Sequence, residues 1–137
     1  MAIFDSPHTF EVVGWGRGHA GLTVRGMTDE TLPTRAEILF KPAYFACLPV
    51  QLDGLRIEHG TPAVLAQISA SGATLGSDDH VYAVFSAGSL AGWVIGGAVF
   101  GRADHHRFGD PTMFTGWDPA PGVTALFSYV PRERPIG

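Results

Sequence analysis

Two short runs hold most of the side chains able to do chemistry: Asp78-Asp79-His80 and Asp104-His105-His106, with Asp110 close behind. Imidazole nitrogens and carboxylate oxygens are the donors that Zn²⁺ and other catalytic divalent cations take. A carboxylate pair could instead exchange protons with a substrate. Asp79, His80, Asp104 and His106 are therefore the candidate metal ligands, provided that the fold brings the two runs together. Their spacing matches no established metal signature, and the adjacent His105 and His106 point to opposite sides of an extended chain. The alternative is a strand-to-loop junction that is charged because it is wet. Other motifs fail on context. Gly88-Ser89-Leu90-Ala91-Gly92 lacks the residue between glycine and serine that a nucleophile elbow requires. Gly16-Arg17-Gly18-His19-Ala20-Gly21 fits G-x-G-x-x-G, but Leu22-Thr23-Val24-Arg25 after it has a strand's period of two. Without a helix N-terminus the motif cannot hold a pyrophosphate, and it reads as a hairpin loop.

The two runs flank the strongest strand-like pair in the chain. His80, Tyr82 and Val84 alternate with Val81, Ala83 and Phe85; Trp93, Ile95, Gly97 and Val99 alternate with Val94, Gly96, Ala98 and Phe100. A connection over Ala87–Ala91, centred near Ser89, makes Asp79 face Phe100 and Asp78 face Gly101, which puts both runs at one open end. Gly96-Gly97 inside a strand predicts sharp coiling. Further strands are expected over Thr9–Trp15, Leu22–Arg25, Arg35–Lys41, Leu55–Glu58 and Thr124–Val130, and a strand or turn crossing the core over Tyr44–Leu48, with residues 1–8 as a lead-in, turns at 26–34 and 52–54, and Pro42 marking an edge or bulge. Thr61-Pro62 begins a helix over 62–71, striped by Val64, Leu65 and Ile68 and stopped by Gly72; a strand over 63–69 is the alternative. The class is mostly β, an antiparallel sandwich or small barrel with at most one short helix, in a single domain over residues 1–137.

Composition narrows the function classes. The net charge of −4, from 13 acidic and 9 basic residues, argues against a nucleic-acid binder, which needs a basic patch. Eight of the nine basic residues are arginine and asparagine is absent, the usage of a GC-rich bacterial genome. The single cysteine, Cys47, excludes an internal disulfide, and its neighbours supply no cation to activate it, so a buried structural thiol is expected. No run approaches the ~20 apolar residues of a membrane span. The opening MAIFDSPHTF has neither the basic nor the apolar region of a secretion signal, so a cytoplasmic location is expected.

Residues 104–122 read as a long proline-bearing loop that nonetheless carries Phe108, Met113, Phe114 and Trp117, with Arg102 and Arg107 alongside. Aromatics and arginine are the usual anchors of protein interfaces, so these six are the candidate contact residues. Folding down to complete the core is their other possible use. Phe40-Lys41-Pro42, Leu48-Pro49, Leu55-Arg56-Ile57 and the Trp93–Val99 strand followed by an acidic, aromatic loop resemble the small β-rich immunity proteins of bacterial polymorphic toxin systems, over residues 9–115. The resemblance implies a cytoplasmic protein that binds and blocks a toxin domain, with no catalysis and no cofactor. The modest charge departs from the strongly acidic surface expected where the toxin is a nuclease. Sequence thus favours a non-enzymatic protein-binding module, with a small metal-dependent enzyme or ligand-binding β-barrel built on the Asp/His cluster as the alternative. Self-association through an exposed β edge is a third use of such a fold. No nucleic acid or membrane partner is expected.

Overall fold

The computed structural model describes residues 2–16, 21–27, 34–76 and 79–131. Its elements run β1 (Phe4–Trp15), β2 (Leu22–Met27), β3 (Arg35–Cys47), β4 (Gln51–His59), α1 (Pro62–Ala70), β5 (His80–Ser86), β6 (Ser89–Asp104) and β7 (Thr124–Tyr129). Every pairing among the described residues is antiparallel, that of β6 with β7 included, and six of them run in a cycle: β1 with β2, β2 with β3, β3 with β6, β6 with β5, β5 with β4, and β4 back to β1. These six pairings close a ring, so the antiparallel domain is a six-stranded barrel. β6 is long enough to pair with β5 through Gly96 and with β7 from Val99 onward, while β3 runs along its other edge.

Alternation decides which residues fill the barrel. Phe10, Leu22, Val24, Ile38, Phe40, Ile57, Val84 and Val94 point inward and are buried together with Tyr82. Each such side chain contributes roughly 1.5–3 kcal/mol on leaving water. Outside the ring, α1 lays Val64 and Ile68 on Val81, Ala83, Trp93 and Ile95. β5 and the first half of β6 are therefore covered on both faces, which explains why their sequences are apolar at nearly every position. The helix begins as expected: the Thr61 hydroxyl accepts from the Val64 N–H at 3.4 Å and Pro62 occupies the first turn. Gly72, at φ +85°, follows its end.

Several boundaries differ from the sequence expectations. β1 starts at Phe4 rather than after Pro7, and its pairing with β4 slips between Ser6 and Thr9, around the proline that lacks an N–H. β3 continues through Pro42 to Cys47 as one strand, its register against β6 shifting between Ala43 and Phe45. Cys47, expected to be buried, is exposed. The expected turn at Leu52–Gly54 lies within β4. β1 and β2 do form a hairpin, closed by the Gly16 N–H on the Gly21 carbonyl at 3.1 Å; Arg17–Ala20 of its loop lie outside the described residues, as do 28–33 of the expected turn. The β5–β6 connection is two residues, Ala87 and Gly88, both at positive φ (51° and 78°), not the five of Ala87–Ala91. At Gly96 the two strands approach closely: a methyl there would overlap the Pro42 carbonyl oxygen of β3. Among the described residues no helix is long and apolar enough to cross a membrane.

Candidate functional site

The parity that sends Ala36, Ile38 and Phe40 into the barrel turns Arg35, Glu37, Leu39 and Lys41 outward. Register then aligns outward residues in rows across β2, β3 and β6: Arg25–Glu37–Arg102, Arg35–Asp104, Thr23–Leu39–Phe100 and Lys41–Ala98. Charges on the outer face of a strand are ordinarily solvated. Here the loop after β6 covers the first two rows and buries them.

Arg35 grips Asp104 through two parallel bonds (Nε–Oδ1 3.0 Å, Nη2–Oδ2 2.7 Å) and donates onward to the carbonyls of Asp110 (2.7 Å) and Pro111 (3.0 Å). Glu37, with no exposed surface, accepts from Arg25 Nη2 (3.3 Å), the Thr112 hydroxyl (2.7 Å) and the Met113 N–H (3.0 Å). Arg25 also donates to the Phe108 carbonyl at 2.7 Å and lies over the Phe108 ring. Arg102 donates to the Trp117 carbonyl at 2.5 Å and stacks on Phe114, 4.7 Å from its centroid. Three arginines thus fasten the loop by its backbone. Burial alone would push the Asp104 carboxyl up, but the Arg35 hydrogen bonds and the His106 N–H outweigh it and hold the group below its ordinary range. The same contact raises Arg35. Asp110 is held low first by the Arg107 N–H and then by His106 Nδ1, 3.3 Å away.

The six candidate contact residues divide. Met113 is 3% exposed and seals the loop from beneath, so it offers no contact surface; it is the residue that folds down. Arg102 is buried under the loop, Phe108 and Phe114 are half-buried, and Arg107 is exposed. Trp117 stands 89% exposed although its carbonyl is fixed. Beside it, Leu39, Lys41, Ala98 and Phe100 of the barrel wall, Phe114–Trp117 of the loop and Val130 enclose a groove of about 370 Å³.

The candidate metal ligands do not meet. His80 pairs with Gly96, three residues short of the expected facing, because the turn is shorter and placed earlier. Asp104 lies eight residues further along β6, roughly 26 Å at about 3.3 Å per residue. Asp104 belongs to Arg35, His106 faces Asp110, and Asp79 accepts from the Gly76 N–H at 2.7 Å; Asp78 lies outside the described residues. Among the described residues no group of three His, Cys, Asp or Glu side chains is placed to hold a metal ion.

His80 instead meets His59, which was not singled out in the sequence. His59 Nδ1 and His80 Nε2 are 2.9 Å apart with the rings nearly perpendicular, at the mouth of the barrel beside Tyr82 and Tyr129. Their ring centroids are 5.1 Å apart, only 2.2 Å more than the nitrogens. Each nitrogen therefore lies near the line joining the rings, and one lone pair points at the other nitrogen's proton rather than at a shared third point. That is a hydrogen bond, not a pair of ligands. Burial, then the His59 charge, lowers the His80 pKa, and burial raises that of Tyr82, whose hydroxyl donates to the Gly97 carbonyl. The inward parity of His59 after Leu55 and Ile57 was a usable signal; its neighbour across the sheet was hidden by the intervening helix.

Comparisons with protein-family models, with curated proteins and with solved structures find no match to this chain.

Proposed function

We propose that this protein is a non-enzymatic protein-binding module that engages its partner through the groove beside Trp117. One observation carries the reading: a tryptophan 89% exposed on a loop whose own carbonyl is tied to a buried arginine. Interface energy concentrates in tryptophan, tyrosine and arginine, and an anchor held in place before binding loses less freedom on association. Toxin neutralisation, with a co-encoded toxin domain as partner, is the form this reading takes in the immunity-protein resemblance. The alternative reading of an Asp/His metal site has no such support, since Asp104 already serves Arg35.

The test is co-purification of tagged protein with the product of the adjacent gene, comparing wild type with Trp117→Ala and Phe114→Ala. The expected outcome is retention by wild type, loss with Trp117→Ala, and a Tm for Trp117→Ala within about 2 °C of wild type, because an exposed ring contributes little to folding. Equal retention by Trp117→Ala overturns the groove as the contact surface.

A further inference from the structure

Among the described residues the groove is bordered by two cations, Lys41 and Arg102, and by no carboxylate, on a chain of net charge −4. Arg102 is 7% exposed; its Nη2 is held by the Trp117 carbonyl, its face lies on Phe114, and its Nη1 has no acceptor among the described residues. Glu37 stands opposite it across β3 and β6, yet the Glu37 oxygens serve Arg25, Thr112 and Met113. Asp104 is gripped by Arg35. Among the described residues Arg102 is thus the one arginine of the three under the loop with no ion pair to a carboxylate. A guanidinium stays charged at any physiological pH, and its field is stronger where water is excluded. Lys41 adds a second positive charge one row beyond Leu39.

We infer that the groove recognises a partner segment in which a carboxylate side chain sits beside an aliphatic or aromatic one. The apolar side chain packs among Leu39, Phe100 and Trp117, and the carboxylate answers Arg102 and Lys41. Nη1 is shielded from solvent, so the carboxylate either displaces the Phe114 ring or acts on the guanidinium through its field. The inference rests on the groove being a protein-binding site and adds the chemistry of its occupant. Charge complementarity selects that occupant: a purely apolar segment would leave both cations unanswered and would desolvate them without return.

The experiment is selection of linear heptapeptides on phage against the full chain, with Trp117→Ala as counter-selection. Synthetic copies of enriched peptides are then titrated by fluorescence anisotropy. Enriched peptides should carry Asp or Glu beside Leu, Ile or Phe. Lys41→Glu should weaken them by about fivefold or more, as should Glu→Gln or Asp→Asn in the peptide, and the affinity should fall with salt. Arg102→Gln should weaken them further, and because that change also frees the loop, Lys41→Glu, on the exposed wall, is the deciding variant. Enriched peptides that lack an acid, or that ignore Lys41→Glu, overturn the inference and leave the protein-binding reading intact. Absence of enrichment over Trp117→Ala overturns both. Binding of decanoate, used as a small amphiphile probe, where no peptide binds, also overturns it by making the groove a small-molecule site.

Discussion

The charged residues beneath the loop show how context sets the worth of a single side chain. Arg35 and Asp104 are both buried, and removing one leaves the other charged in a place that water does not reach. Asp104→Ala should therefore destabilise the fold by about 3–5 kcal/mol, measured by urea denaturation, far more than loss of an exposed ion pair. A change below ~1 kcal/mol would mean that the loop does not cover the pair. The His59–His80 bond has a different signature. The His80 pKa is depressed below 6.5 in the folded chain, so the neutral ring is favoured there and the unfolded chain takes up the proton first. The resulting stability is present above pH 6.5 and is lost as pH falls below it. Thermal melts from pH 8 to 5 should show wild type losing stability on acidification more steeply than His80→Gln. An NMR midpoint for His80 above 6.5 contradicts the assignment.

Elements are where local chemistry can be tested without touching the groove. Ala87 holds φ +51° in the two-residue turn between β5 and β6, a conformation that disfavours a Cβ and suits Asn or Gly. Ala87→Asn should stabilise by about 0.5–1 kcal/mol, read as a rise in denaturation midpoint; a decrease would show that the turn is not of the mirror-image type. The same turn explains why part of the architecture was legible in the sequence and part was not. Alternation over His80–Phe85 and Trp93–Phe100 identified the hairpin, and Thr61-Pro62 with Gly72 identified the helix, because those signals are local. Register is not local. Reading Ala87–Ala91 as the loop moved every facing by three or four residues and brought together Asp79 and Asp104, which lie far apart. The loop after β6 stood out for its aromatics, but nothing in Arg35, Glu37 or Arg25 marks them as buried. They follow a strand's polar face, and only the loop folded over them makes them interior.

At the scale of the molecule, one seam does two jobs. β3 against β6 closes the barrel, and its outer rows, Leu39–Phe100 and Lys41–Ala98, form the wall of the groove. A contact surface built on a closed wall keeps its spacing, whereas a free sheet edge would twist and offer itself for pairing. The seam depends on β3 lying close against β6 where Gly96 has no side chain. A Cβ at Gly96 would meet the Pro42 carbonyl oxygen, a backbone atom that cannot swing aside as a flexible side chain does. Gly96→Ala should accordingly cost at least about 1–3 kcal/mol, the range of an overpacked core, although only one methyl is added. If the groove binds the proposed partner, Gly96→Ala should also weaken that binding because it shares the seam, whereas Trp117→Ala should remove it with the melting temperature nearly unchanged. Denaturation and binding measured on the two variants together separate the roles. If Gly96→Ala melts as wild type does, β3 does not lie against β6 at that point and the ring is not closed there; if it melts lower and binds less, the wall and the site are one structure.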